Sequence, residues 1–135
     1  MSGLESVNLP HVKTGMHKIL VADDEEDFHL FIRTALKGYD IQIHDVYNGS
    51  EALNEIQRHH YDLILLDIMM PGGSGGDFMR ATLGRVTLPP IVIMSSMNDA
   101  ALIKNALEVG AAAFILKPID AAELRSTIKR LLKSE

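Results

Sequence analysis

The chain has 135 residues, 47% of them apolar, a net charge of −5 and no cysteine. That length suits one domain able to bury well over half of its unfolded surface. The acidic balance argues against a nucleic-acid or anionic-membrane partner, and the missing thiols exclude disulfides, thiolate nucleophiles and cysteine-based zinc sites.

No apolar run approaches the ~20 residues that span a bilayer, and the N-terminus lacks signal-peptide order; the expectation is a cytoplasmic domain. Residues 1–17 hold no sustained period and read as a flexible leader. From Lys18, strand-like and helix-like segments alternate. Ile19-Leu20-Val21-Ala22 is a buried strand that delivers Asp23-Asp24. Phe28, Phe31, Ile32, Ala35 and Leu36 then form a helical stripe that Gly38 stops. Asp23-Asp24, taken alone, also suit the start of this helix, with Asp24 or Glu25 as its cap.

Ile41, Ile43 and Val46 suggest a looser edge strand. Asn48 and Glu51 read as a capping box for the helix carrying Ala52, Leu53 and Ile56. Leu63-Ile64-Leu65-Leu66 is a second buried run, ending in Asp67. Residues 71–76, Pro-Gly-Gly-Ser-Gly-Gly, read as a loop before a short helix with Phe78 and Met79; four glycines predict weak order over 72–76. Pro89-Pro90 precedes the strand Ile91–Met94, which ends in Ser95-Ser96. Asn98 is a candidate cap for the helix through Leu102, Ile103, Ala106 and Leu107, stopped by Gly110. Phe114-Ile115-Leu116 ends in Lys117-Pro118. Asp120 with Glu123 opens the last helix, with Leu124, Ile128, Leu131 and Leu132 on one face. Five βα units with continuous apolar strands imply an α/β fold, a parallel sheet covered on both faces.

Four apolar runs thus end in residues that handle phosphate or a divalent cation, at the carboxyl strand ends where open α/β sheets bind ligands. Mg²⁺ takes one or two carboxylates plus a phosphate oxygen and keeps several waters, which suits Asp23, Asp24 and Asp67. A carboxylate beside bound Mg²⁺ can act as nucleophile and form an aspartyl-phosphate. Lys117 can supply a point charge to a phosphoryl oxygen and Ser95 a hydroxyl donor, although Ser96 leaves open which hydroxyl enters the site. His59 and His60 diverge by roughly 100° on a helix and make a poor ligand pair. The remaining histidines carry no assigned role.

These residues, in order and each on the right element, resemble the receiver domain of two-component response regulators over Lys18 to Leu132. The match comprises Asp23-Asp24 after the first strand, Asp67 after the third, Pro71 and Gly75 in the next loop, Ser95 after the fourth, and Lys117-Pro118 after the fifth. The resemblance implies a flavodoxin-like (βα)5 sandwich, strand order 2-1-3-4-5, with the receiver spanning 18–135. It implies that Asp67 accepts phosphate from a histidine kinase or histidine phosphotransfer domain, with no enzymatic activity beyond self-catalysed phosphorylation and dephosphorylation. Asp23, Asp24, Asp67 and the Met69 backbone carbonyl would hold Mg²⁺, with Mn²⁺ able to substitute. Ser95 and Lys117 would bind the phosphoryl group, and the Lys117–Pro118 bond would be cis.

Phe114 falls where this family places its switch aromatic; as a plain core strand residue it reads equally well. The switch would remodel the face of helix four, strand five and helix five for a downstream protein target or an activation-dependent homodimer. Gly73 and Gly76 depart from the apolar residues of many receivers. Met69 and Met97 occupy two variable positions that tune dephosphorylation, and bulky apolar side chains there predict a long-lived phosphoryl group. Two rivals remain: a pseudo-receiver that docks partners without phosphorylation, and an aspartyl-phosphate hydrolase of the haloacid dehalogenase type. The second resembles Asp-x-Asp-x-Thr after its first strand, whereas here the candidate nucleophile follows the third and Met69 stands two residues on. With no output segment after the last helix, a stand-alone regulator is the simpler expectation.

Overall fold

The computed structural model describes residues 17–70, 75–82 and 88–132. In chain order these form β1 (His17–Ala22), α1 (Glu26–Ala35), β2 (Ile41–Val46), α2 (Gly49–Arg58), β3 (Leu63–Asp67), α3 (Gly75–Thr82), β4 (Ile91–Ser95), α4 (Ala100–Glu108), β5 (Ala113–Leu116) and α5 (Ala121–Leu132). The strands build one parallel sheet in the order β2-β1-β3-β4-β5.

Alternation along each strand sorts the core into two layers. Ile19, Val21, Leu63, Leu65, Val92 and Met94 pack with Ile32, Leu36, Leu124 and Ile128, so α1 and α5 cover one face. Leu20, Ala22, Ile64, Leu66, Ile91 and Ile93 pack with Ala52, Phe78, Met79 and Ala106, so α2, α3 and α4 cover the other. With both faces dry, β3 and β4 are buried at every residue. Truncating Leu65, fully buried, to Ala is expected to cost about 3 kcal/mol.

The punctuation is local. Gly38 and Gly110 follow α1 and α4 at φ 90° and 113°, a conformation that costs glycine nothing. Asn48 Oδ1 accepts from Glu51 N at 2.8 Å, while the Glu51 carboxylate accepts from Tyr47 N, one residue earlier than in a reciprocal capping box. Asp120 accepts from Glu123 N at 3.0 Å.

Boundaries differ from the sequence reading at α4, α3 and β1. The α4 cap is Asp99, not Asn98: its carboxylate accepts from Ala101 N and Leu102 N. Both types cap well, and a charged carboxylate also complements the helix dipole. Glu25 takes the N-cap position of α1 but makes no side-chain cap bond. Its own N–H is instead taken by Asp23 Oδ1, at 2.8 Å. α3 starts at Gly75, so the last two glycines of the expected loop begin a helix; residues 71–74 lie outside the described residues, and with them most of the glycine-loop expectation. β1 starts at His17, one residue inside the expected leader. Among the described residues no helix is long and apolar enough to cross a membrane.

Candidate acidic site at the carboxyl edge of the sheet

Register alone brings the acidic residues together. Ala22 pairs with Leu66 and Asp67 with Met94, so Asp23 and Asp67 leave adjacent strands at one level. Asp23 N still reaches Val46 O, and Lys117 N reaches Ser95 O at 2.8 Å, which carries that level across the sheet. Carboxylate oxygens of Asp23, Asp24 and Asp67 all lie within 4.8 Å of one another. Asp23 and Asp67 are buried, and Asp24 is exposed. The sheet edge opens here into a cavity of about 450 Å³ whose walls include Asp24, Asp67, Lys117 and Met69.

Among the described residues, one cation stands between these acids. Lys117 Nζ donates to Asp23 Oδ2 at 2.6 Å and to Asp67 Oδ2 at 3.3 Å. The same Nζ sits 4.3 Å from the centre of the Phe28 ring on α1, a cation–π seat. Each buried carboxylate has a backbone donor as well: Glu25 N for Asp23, and Met69 N for Asp67 at 2.9 Å.

Burial pushes the Asp67 carboxyl above its ordinary value; the Met69 N–H and Lys117 pull it down, Asp23 pushes it further up, and the upward causes prevail. Burial works against a charged Lys117, but the Asp23 hydrogen bond and the two carboxylates outweigh it and hold the ammonium above its usual value. Among the described residues, the three clustered carboxylates against one ammonium leave two negative charges in excess when all are ionised, and Glu25 on the cavity wall adds a third. Close carboxyls with one solvent-facing member are an oxygen donor set that suits a hard divalent cation retaining waters.

The other expected site residues lie around this core. Ser95 is fully buried, and its Oγ accepts from Met97 N at 3.0 Å, while Ser96 lines the cavity instead. The Lys117–Pro118 peptide bond is cis. Phe114 is partly buried and packs against the α2–α3–α4 side of the core. Met69 and Met97 are 56% and 44% exposed. His59 and His60 are exposed, as a solvated helix end requires. Two contributors escaped the sequence reading: Phe28, seen only as a stripe residue, seats Lys117, and His29 is buried behind Asp23. The signal for His29 was its place on the α1 stripe, three residues before Ile32.

Residues 19–129 match the family described as the response regulator receiver domain. The chain belongs to that family. It is 30% identical over 120 residues to the response regulator ArlR of Staphylococcus aureus, covering 89% of this chain and 54% of that protein, so it spans about half the length of such relatives. Among solved structures it resembles a two-component response regulator from Clostridium difficile, with 32% identity, a TM-score of 0.82 and 88% and 98% of the two chains covered. The receiver domain of the Francisella response regulator 1452 gives 29% identity, a TM-score of 0.81 and coverages of 87% and 97%. The chemotaxis response regulator CheY4 of Vibrio cholerae gives 25%, 0.78, and 87% and 99%. The expected flavodoxin-like order 2-1-3-4-5 is therefore the fold observed, and the chain is a receiver domain of the two-component signalling type. Receivers of this family bind Mg²⁺ through an acidic cluster of the kind formed by Asp23, Asp24 and Asp67.

Proposed function

We propose that this receiver, residues 18–135, accepts a phosphoryl group on Asp67 from a phosphohistidine of a histidine kinase or phosphotransfer domain, in the cytoplasm. The observation that carries the reading is the single ammonium of Lys117 shared between Asp23 and Asp67 at 2.6 and 3.3 Å. A carboxylate oxygen of Asp67 attacks phosphorus, the P–N bond breaks, and the departing imidazole retains the electron pair and takes up a proton. Lys117, already within reach of Asp67 Oδ2, neutralises charge gathering on the phosphoryl oxygens. Asp23, Asp24, Asp67 and the Met69 carbonyl would hold Mg²⁺ or Mn²⁺, which supplies further charge neutralisation and orients the phosphoryl group.

Ser95 exchanges its bond to Met97 N for the phosphoryl group, and Phe114 turns inward behind it. That rearrangement alters the α4–β5–α5 face, where Leu107 and Leu116 are already 46% and 37% exposed. An exposed apolar pair on a switching face suits a protein target or a homodimer formed on activation. Asp67 and its neighbours act once on their own chain, so the activity is self-modification rather than turnover of a substrate.

The test is intact mass after incubation with a small-molecule phosphodonor, for wild type and Asp67→Asn. One added phosphoryl group on wild type, lost when Mg²⁺ is withheld and absent from the variant, is the expected result. No adduct, under conditions that label a control receiver, would overturn the proposal and favour a phosphorylation-independent docking module.

A further inference from the structure

His29 is the most buried of the described histidines, 1% exposed, and nothing in the phosphoryl chemistry above uses it. Its ring joins three elements. Nε2 lies 2.7 Å from the backbone oxygen of Asp23, just past the end of β1. Nδ1 lies 2.6 Å from Asp45 Oδ1 on β2. The ring face meets Tyr47, with centroids 4.4 Å apart. Arg33, one turn further along α1, holds the second oxygen of Asp45.

A carbonyl oxygen only accepts, so Nε2 carries the hydrogen of the bond to Asp23. The hydrogen bond therefore lands on the main chain of a site residue. It orients the peptide plane joining Asp23 to Asp24. The Asp23 side chain is fixed independently by Glu25 N and Lys117 Nζ. Asp24 is exposed, and that peptide plane decides where its carboxylate starts. A buried, satisfied histidine serving only the core would bond anywhere on the neighbouring strands; this one bonds at the turn that aligns two of the three acids.

We propose that His29, braced by Asp45 and Arg33, is a positioning residue that sets the Asp23–Asp24 peptide for divalent-cation binding. The inference rests on the cation-binding reading of the acidic site. Groups that orient metal ligands from behind typically govern affinity by roughly 10–100-fold, and a ring locked on both nitrogens suits that task.

The experiment is Mg²⁺ affinity by calorimetric titration, well below the unfolding temperature, for wild type, His29→Leu, His29→Gln and Asp45→Asn. His29→Leu should weaken Mg²⁺ binding by roughly tenfold or more. His29→Gln, whose amide N–H can still reach the Asp23 carbonyl, should recover most of that loss. Asp45→Asn should fall between, because a neutral amide weakens the bonds to Nδ1 and Arg33 without abolishing them. A purely structural histidine would lower thermal stability in all three variants without changing the affinity of the folded protein. Folded variants that bind Mg²⁺ as wild type does, or a loss that His29→Gln leaves unrepaired, would overturn the inference and leave the acidic site intact. If His29→Leu does not fold, the Gln and Asn variants decide alone: wild-type affinity in Asp45→Asn refutes the brace, and a several-fold loss there with near-normal affinity in His29→Gln sustains it. Wild type that binds no Mg²⁺ would refute the cation-binding reading and this inference together, a distinct result.

Discussion

Lys117→Met isolates the charge at the centre of the site, because methionine keeps an unbranched side chain against Phe28 and removes only the ammonium. The lysine side chain is 14% exposed, and its partner Asp23 is fully buried. Removing one partner of a buried ion pair costs about 3–5 kcal/mol. Asp23 and Asp67 each keep a backbone donor, and the cavity admits water, so the lower end applies: about 3 kcal/mol in the metal-free protein. For a domain of this size that corresponds to a fall of roughly 10 °C in Tm. Mg²⁺ then serves as the control. A cation at 100 times its Kd stabilises the folded state by about 2.7 kcal/mol, and the variant, with two carboxylates uncompensated, should bind it more tightly than wild type. Urea unfolding in chelator and in saturating Mg²⁺ should therefore show a gap of about 3 kcal/mol that narrows when the metal is present, by about 1.4 kcal/mol for each tenfold by which the variant binds Mg²⁺ more tightly than wild type. A gap of the same size in both conditions would mean that Lys117 stabilises by packing, and the electrostatic account would fail.

Three further outcomes are expected. Burial raises the Asp67 carboxyl above its ordinary 3.8, so the metal-free native state holds that proton more tightly than the unfolded chain. The contribution is favourable below the ordinary value and is lost as pH rises through the raised one; Asp67→Asn should match wild type in acid and be the more stable protein near neutrality, and an advantage independent of pH would refute this. The Tyr47 hydroxyl donates to Glu26 at 2.7 Å, which, with burial and nearby acids, pushes it up to about 12; alkaline absorbance titration should lose a step there in Tyr47→Phe and shift it down in Glu26→Gln, and an unmoved step in Glu26→Gln would remove that cause. Met69 borders the cavity, and Met97 follows Ser95 by two residues, so polar substitutions at either should shorten the phosphoryl lifetime measured by phosphate release. A wild-type lifetime of seconds, unchanged by substituting either methionine, would refute the shielding argument.

What could be read from sequence followed from which interactions are local. Buried parallel strands demand unbroken apolar runs, so Leu63–Leu66 and Ile91–Met94 announced themselves, and the level at which they end placed Asp23, Asp67 and Lys117 on one edge. Gly38, Gly110 and Asn48 act within a few residues and were equally plain. The choice of Asp99 over Asn98 was not, since both can cap and only the backbone path separates them. Ser95 and Ser96 posed the same difficulty: both follow β4, yet one is buried and the other borders the cavity. The His29–Asp45 pair spans sixteen residues and two elements, and no local pattern prescribes it. Its trace was a conflict of levels. On α1, His29, Ile32 and Ala35 are the buried residues, and a histidine inside such a stripe must find partners for both ring nitrogens. A polar residue that breaks an otherwise apolar face next to an acidic corner is therefore better read as a pointer toward the site than as scatter, because the unfavourable burial it brings must be offset there.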